Sequence, residues 1–355
     1  MLDNEARIKQ ELEIFNQNVN VHELPKIYHY WSNKHLRPWL EEYGISNPDD
    51  LFVNYMINTA SSCGVEKPAF VSIGSGNCDT EVRVAKRLKD QGLESFSLEC
   101  IDLNPTMLNR GRELADKEGI LENMSFIELD FNQWKASKEY VSVIANQSLH
   151  HIQNLEGVFN EIKKSLHPDG TFITSDMIGR NGHQRWPEAL DAVHNFWKEL
   201  PESYRYNHQL KRVEMMYENW DCSTEGFEGI RAQDILPLLI KNFNFELFIG
   251  FANVIDVFVD RGFGHNFDPN GKWDTDFIDR VHQFDETSIR NGSIKPTHIM
   301  AVMKKKSVST PSYSRNLSPE HCMRKVPAGA VISKTSVSSA SGNRSLLSRI
   351  FRRFH

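Results

Sequence analysis

Cysteine is scarce in this chain and shows no pattern. The five residues Cys63, Cys78, Cys100, Cys222 and Cys322 are far apart and odd in number, which excludes both a disulfide framework and paired-cysteine zinc spacing; no metal site is expected, and a reducing compartment suits them. Long apolar runs are missing too. No stretch approaches the roughly 18 uninterrupted apolar residues of a membrane span, and Met1–Ile14 is charged throughout rather than basic and then apolar like a secretory signal, so the expectation is a cytoplasmic protein. Positive charge is outnumbered in the body of the chain. The net charge is −6, yet from Lys304 to His355 eleven Lys and Arg face the single Glu320, leaving +10 in the tail and −16 on the remainder. So acidic a body argues against a nucleic-acid substrate gripped through its phosphates.

What is present is an ordinary globular composition, 39% hydrophobic and 25% charged over 355 residues, enough for one large core with an inserted cap. Val71–Ile73, Phe96–Asp102, Met124–Leu129, Tyr140–Ala145 and Thr171–Ser175 are short, mostly apolar, β-prone runs separated by helical segments, the alternation of a parallel α/β sheet. Asp79–Gln91 carries Val82, Ala85 and Leu88 on one face, and Leu155–Leu166 carries Val158, Phe159, Ile162 and Leu166. Pro168-Asp169-Gly170 reads as a turn into the fifth strand. From Met177 to about Asn219 the chain is rich in Trp, Tyr, His and Met, which reads as a cap; a helix around Ala232–Lys241 then restores the rhythm. Phe245–Gly250 and His298–Met303 would be the last two strands, with a Gly- and Asp-rich segment, Arg261–Gly292, between them. Leu2–Val19 resembles an amphipathic helix with Ile8, Leu12 and Phe15 on one side, packed over an edge or the mouth of the fold. The Ser-rich stretch Ser307–Asn343 reads as a disordered linker.

The most informative stretch is Phe70-Val71-Ser72-Ile73-Gly74-Ser75-Gly76-Asn77-Cys78-Asp79, an apolar strand, a Gly-x-Gly turn and a helix start. Glycines there let the backbone turn tightly and approach a ligand closely. The next strand ends in Asp102, 26 residues after Gly76, where a carboxylate can accept from both hydroxyls of an adenosine ribose; capping the helix that starts at Pro105 is the alternative. A nicotinamide dinucleotide fold fits poorly. Its fingerprint has a third glycine and holds a pyrophosphate at the helix N-terminus, whereas this loop continues Cys78-Asp79-Thr80-Glu81, and two carboxylates would repel a diphosphate while favouring a cationic sulfonium ligand.

In this order the motifs resemble the class I S-adenosylmethionine (SAM) dependent methyltransferases, over roughly Lys67–Lys304. The resemblance implies a Rossmann-like, seven-stranded, mostly parallel sheet with a final antiparallel hairpin, a helical segment at 1–66, the methyltransferase domain at 67–306 with a cap at about 177–231, and a basic tail at 307–355. It implies SAM as cofactor and S-adenosylhomocysteine as product. Gly74, Ser75 and Gly76 would lie beside the methionine part of SAM, Asp102 and Leu103 beside the ribose, Asp130 and Phe131 against the adenine, and Gln147 in the loop before His150 and His151. The chain departs from the family at Ser72, where an acidic residue is common, and at Cys78, the usual third glycine. A looser likeness, carried by His29-Tyr30-Trp31-Ser32-Asn33-Lys34 and by Gly179-Arg180-Asn181-Gly182-His183-Gln184-Arg185-Trp186, is to bacterial members from glycan and secondary-metabolite pathways.

That family reading implies methyl transfer to a hydroxyl of a small molecule or saccharide; transfer to nitrogen or to a protein, and a SAM-binding subunit without turnover, are the alternatives. For a hydroxyl acceptor one base is enough, and His150 and His151 stand at the carboxyl edge of the sheet, with Asp176 at the end of the fifth strand and His183 in the cap as competitors. The aromatic group Tyr28, Tyr30, Trp31, Trp186, Phe196, Trp197, Tyr204, Tyr206 and Tyr217 suits cap core first and an acceptor pocket second. Arg180 and Arg185 suit a phosphate or carboxylate on the acceptor and, equally, a solvated loop. At 344–355, Leu346, Leu347, Ile350, Phe351 and Phe354 share a helical face among arginines, a pattern for an anionic membrane surface or a protein partner, or a frayed tail.

Overall fold

Four helices precede the first strand: α1 (Asn4–Gln17), α2 (Lys26–Trp31), α3 (Arg37–Glu41) and α4 (Pro48–Cys63), with a wider π turn over Ser32–Leu36 joining α2 to α3. The computed structural model describes residues 4–17, 24–224 and 226–324. α4 is bounded by its own sequence. The Asn47 side chain accepts from the Asp50 amide, Pro48 fills the first turn, Asp49 and Asp50 face the positive end of the helix dipole, and Gly64 at φ 64° closes it.

Strands β1 (Ala69–Ile73), β2 (Ser97–Asp102), β3 (Met124–Glu128), β4 (Tyr140–Asn146) and β5 (Leu166–Met177) alternate with helices α5 (Asp79–Asp90), α6 (Pro105–Lys117) and α7 (Leu155–Ser165). The expected faces are the buried ones: Val82, Ala85 and Leu88 of α5, and Val158, Phe159 and Ile162 of α7. Downstream come α8 (Pro187–Glu199), the two-residue strands β6 (Tyr206–Asn207) and β7 (Arg212–Val213), α9 (Ala232–Asn242), β8 (Asn244–Phe251), α10 (Val254–Val259), α11 (Lys272–Asn291), β9 (His298–Lys304), β10 (Ser312–Tyr313) and α12 (Pro319–Cys322).

The sheet order is β10-β8-β9-β5-β4-β1-β2-β3, with β5 and β8 both antiparallel to β9. This is the expected mostly parallel sheet with its antiparallel hairpin, plus an eighth strand: β10 pairs parallel with β8 at the edge. The order reverses between β1 and β4, which opens a crevice at the carboxyl ends of the parallel strands.

Three expectations need correction. Pro168–Gly170 is not a turn ahead of the fifth strand but an irregularity inside it, since Tyr140 pairs with Leu166 and the register resumes at Ser142 with Thr171. The segment Arg261–Gly292 holds the 20-residue α11, whose Phe277, Ile278, Val281 and Ile289 are buried. With α8 and α10 it completes the cap, so the cap draws on two stretches of chain on either side of β8. Asp285 of α11 is buried and accepts from the amides of Asn253 (2.7 Å) and Val254 (3.0 Å), capping α10. The cap aromatics are chiefly core: Trp197 stands edge-on to Phe263 at 4.8 Å, and Phe196 to Phe258 and Phe277.

Third, the stretch read as a linker from Ser307 is folded as far as Arg324. Leu317 and Cys322 are buried, Trp39 Nε1 donates to Ser314 Oγ at 2.5 Å, the Arg315 guanidinium lies 3.7 Å from the centre of the Trp39 ring, and Arg324 pairs with Glu188 of α8. The amphipathic pattern at 344–355 and the linker beyond Arg324 lie outside the described residues. Leu317→Ala should therefore lower unfolding stability by about 2–3 kcal/mol, as for other buried leucines. An unchanged denaturant midpoint would return this segment to the status of a linker.

Candidate active site

At the end of β1 the chain leaves the sheet through Gly74 (φ 71°) and Gly76 (φ 55°), conformations that glycine adopts without strain. A Cβ on Gly74 would stand 2.5 Å from Ser148 Cβ, so the loop after β1 touches the loop after β4 at the reversal of strand order. Cys78, in the place of the third glycine, takes the left-handed conformation itself at φ 58°, and Gly111 of α6 makes room for its side chain. The turn stays intact without that glycine. Ser75 is buried, its amide donating to the Ile101 carbonyl.

Asp102 ends β2. Its Oδ2 accepts from the Gly76 amide and its Oδ1 from the Asn104 amide, each at 2.8 Å, which fixes the carboxylate and leaves lone pairs on both oxygens. Burial pushes its pKa above the usual carboxylate range against those two hydrogen bonds. The α6 cap falls to Asn104 rather than Asp102, with its Oδ1 accepting from Thr106 and Met107. Its Nδ2 is buried without a hydrogen-bond partner. Asp130 caps the short turn Phe131–Gln133 through Asn132, and the Phe131 ring stands 3.7 Å from where a Gly74 Cβ would be. Leu103 and Gln147 line the same cavity, Gln147 at φ 51°.

Ser72, at the family's acidic position, is fully buried and donates to Glu81 Oε1 of α5 at 2.7 Å. Burial pushes the Glu81 carboxyl up to about 7, opposed by the Ser72 hydroxyl. A carboxylate thus reaches the cavity wall from the first turn of the helix in place of one on the strand.

The histidines stand on the other side of the Ser148 contact. Asp176, buried at the end of β5, accepts at Oδ2 from the amides of Ser148 (2.9 Å) and Leu149 (2.7 Å), and at Oδ1 from the Met177 amide (2.8 Å) and His150 Nδ1 (2.7 Å). Burial alone would lower the pKa of His150, but Asp176 and then Glu228 outweigh it and hold it at about 10, so this imidazole is protonated at neutral pH. His151 Nδ1 lies 3.0 Å from Glu11 Oε1 of α1, and its Nε2 lies 3.5 Å from Glu228 Oε2. His183 Nε2 is 2.5 Å from Glu228 Oε1, and burial holds His183 below the usual histidine range against that contact. Burial opposes ionisation of Glu228 too, yet the three imidazoles hold it well below the usual carboxylate range.

The structure thus gathers His150, His151 and His183 around Glu228, with Asp176 holding His150. The sequence reading had not singled out Glu228 or Glu11. Glu228 sits in a Gly-rich loop with no local pattern, and Glu11 is one of several acids on α1. Glu81 offered more signal, as a carboxylate on the face of α5 that also buries Val84, Ala85 and Leu88.

The glycine loop, Glu81, Asp102 and the three histidines with Glu228 line one cavity of about 960 Å³, whereas Asp176 and Ser72 are not on its wall. Residues 69–228 match a family described as a methyltransferase domain. These residues thus form a methyltransferase domain, on the sheet expected from the resemblance to the class I SAM-dependent family. Among curated proteins, the chain is 26% identical over 97 residues to malonyl-[acyl-carrier protein] O-methyltransferase 2 of Ilyobacter polytropus, covering 27% of this chain and 36% of that protein. It is 34% identical over 70 residues to sterol 24-C-methyltransferase erg6 of Aspergillus fumigatus, covering 19% of each. The matches thus span little more than a third of these relatives at most. Among solved structures, the O-methyltransferase of a trans-AT polyketide synthase of Brevibacillus brevis, bound to S-adenosylhomocysteine, aligns over 82% of both chains at 11% identity with a TM-score of 0.38.

The methyltransferase cavity fits SAM chemically. The orphaned Asn104 Nδ2 and the fixed Asp102 carboxylate offer a donor and acceptors side by side for ribose and base, the glycine loop has no side chain in the way, and Glu81 answers a cationic amino group. Glu81 is neutral below its pKa, while the ammonium favours its anion. SAM affinity should therefore rise from about pH 5.5 to 7, by at most about tenfold per unit for one proton released, and Glu81→Gln should flatten the profile. Calorimetry across that range decides it; an equally steep profile in the variant would remove Glu81 from the site.

Proposed function

We propose that this protein transfers a methyl group from SAM to a hydroxyl of a small molecule or saccharide, with His151 as the base. The observation that carries the reading is the buried histidine and carboxylate cluster sharing one cavity with the glycine loop. At about 960 Å³ that cavity stands near the top of the range of about 300–1,000 Å³ for small-ligand sites, in keeping with a cofactor and an acceptor side by side.

Asp102 and Asn104 would hold the ribose, Asp130 and Phe131 the adenine, Glu81 the amino group, and Gly74 and Gly76 would give the methionine part its room. Bound SAM supplies a sulfonium-linked methyl group that leaves its bonding pair on sulfur. His151 would accept the acceptor's hydroxyl proton at a ring nitrogen, oriented by Glu11 and Glu228. His150, held at Nδ1 by Asp176 and facing Glu228 with Nε2, is a poor base. Asp176 acts as a positioning residue, since both its oxygens are occupied. Arg185 is buried at the cavity wall, with its Nε lacking a hydrogen-bond partner and Nη2 3.4 Å from Asp256, which suits an acidic group on the acceptor. The O-methyltransferase among the curated relatives agrees with oxygen as the acceptor atom.

Purified protein incubated with SAM and a panel of hydroxylated metabolites and saccharides, with mass detection, should give products heavier by one methylene. His151→Ala should lower kcat by about 10²–10⁴, the usual worth of a general base, with SAM affinity unchanged. Full turnover in that variant would assign the proton to another group, and turnover only on amines would sink the hydroxyl reading.

A further inference from the structure

We propose that His150, His183 and Glu228 form a binding site for a divalent first-row transition metal at the floor of the cavity. The ligand atoms all lie within 4.8 Å of one another. Two imidazoles and one carboxylate that all line the cavity are the donor set of two-histidine, one-carboxylate metal centres with open positions.

Two of the distances come near those an ion sets. Metal bonds of about 2.0–2.2 Å put neighbouring ligand atoms about 2.8–3.1 Å apart in octahedral and about 3.3–3.6 Å apart in tetrahedral geometry. Glu228 Oε1 is 3.4 Å from His150 Nε2 already. It is 2.5 Å from His183 Nε2, a direct hydrogen bond that must open by somewhat under 1 Å to admit a metal. His183 Nδ1 is buried without a hydrogen-bond partner, so that ring can make the small turn without losing a second bond.

The surroundings are built as metal sites are. Asp176 Oδ1 holds His150 Nδ1 at 2.7 Å, the carboxylate contact that keeps the proton on Nδ1 and presents Nε2 to a metal once the ion displaces the Nε2 proton. The three ligands come from separate stretches of chain joined through the backbone. The Ile230 amide donates to the His150 carbonyl at 3.1 Å, and the Gly182 amide to the Gly229 carbonyl at 2.9 Å. His183 itself sits at φ 53°, beside Gly182 at 64°. Left-handed backbone at a histidine is uncommon and costs energy that the surrounding contacts must offset. The strain serves to aim this ring at Glu228.

In the cavity as read under the proposed function, the ion would take the acceptor's hydroxyl oxygen in an open position and lower the pKa of that hydroxyl, a Lewis-acid role with no change in redox state. The hydroxyl proton would pass to His151, the oxygen–methyl bond would form as the sulfur–methyl bond breaks, and the ion would remain bound. An acceptor with two neighbouring oxygens, such as a vicinal diol or a hydroxy acid, matches two open positions best.

The role rests on the methyltransferase reading, but metal binding does not, and the test separates them. Untagged full-length protein, stripped with chelator, is titrated with Co(II) alone. One equivalent should bind, giving ligand-field absorption that Zn(II) displaces. His183→Ala and Glu228→Gln should each weaken Co(II) binding at least tenfold while SAM binding by calorimetry and the thermal unfolding midpoint stay near wild type. Absence of a stoichiometric Co(II) signal, or a signal unchanged in both variants, overturns the metal site. If either variant also loses SAM binding, His183→Gln serves as the milder probe, and retention of full Co(II) affinity there is equally fatal. SAM binding without product formation, alongside stoichiometric Co(II), would instead count against the proposed function alone.

Discussion

The Asp176 carboxylate is the constraint on which the site depends. It ends the central part of β5, where its own strand and the loop after β4 converge, and it satisfies four donors at once. Two are the consecutive amides of Ser148 and Leu149, which fix the path of that loop. The path brings Ser148 against Gly74, so the cofactor side and the histidine side are set by the same buried anion. An amide in its place would accept at one oxygen only and turn a donating NH2 group toward the other donors. Loss of the charge would free the loop, the His150 ring and the Ser148 contact together.

The sheet was largely legible because its strands are buried on both faces and read as apolar runs, and because glycine, aspartate and histidine fall where such strands end. The same reasoning failed where composition misled. α11 is rich in Asp, Thr and Arg, and its apolar face emerges only at helical spacing through Phe277, Ile278, Val281 and Ile289. Residues 312–324 read as linker from their serines, yet a few well-placed side chains, Leu317, Arg315 and Cys322, suffice to hold the segment against the sheet edge and Trp39.

For the site, the cofactor loop was readable and the acid cluster was not. The exchange at Ser72 shows why. Viewed along the chain it is a missing carboxylate, whereas in space Glu81, nine residues on, reaches the same hydrogen-bonded pair. Glu228 is a stronger case. It belongs to no motif, and its importance comes from three imidazoles contributed by two other segments. Pairing across folded loops leaves no periodicity to read.

The way α1 closes over the mouth has a consequence for how this protein can change over time. Arg7 donates to the carbonyls of Ser223 and Gly226, while Gln10 and Glu11 accept from the amides of Gly226 and Phe227. These four hydrogen bonds all reach the main chain of that loop. Side chains there other than Glu228 can be exchanged without breaking them, so the rim of the chamber can drift toward new acceptors while its cover stays in place.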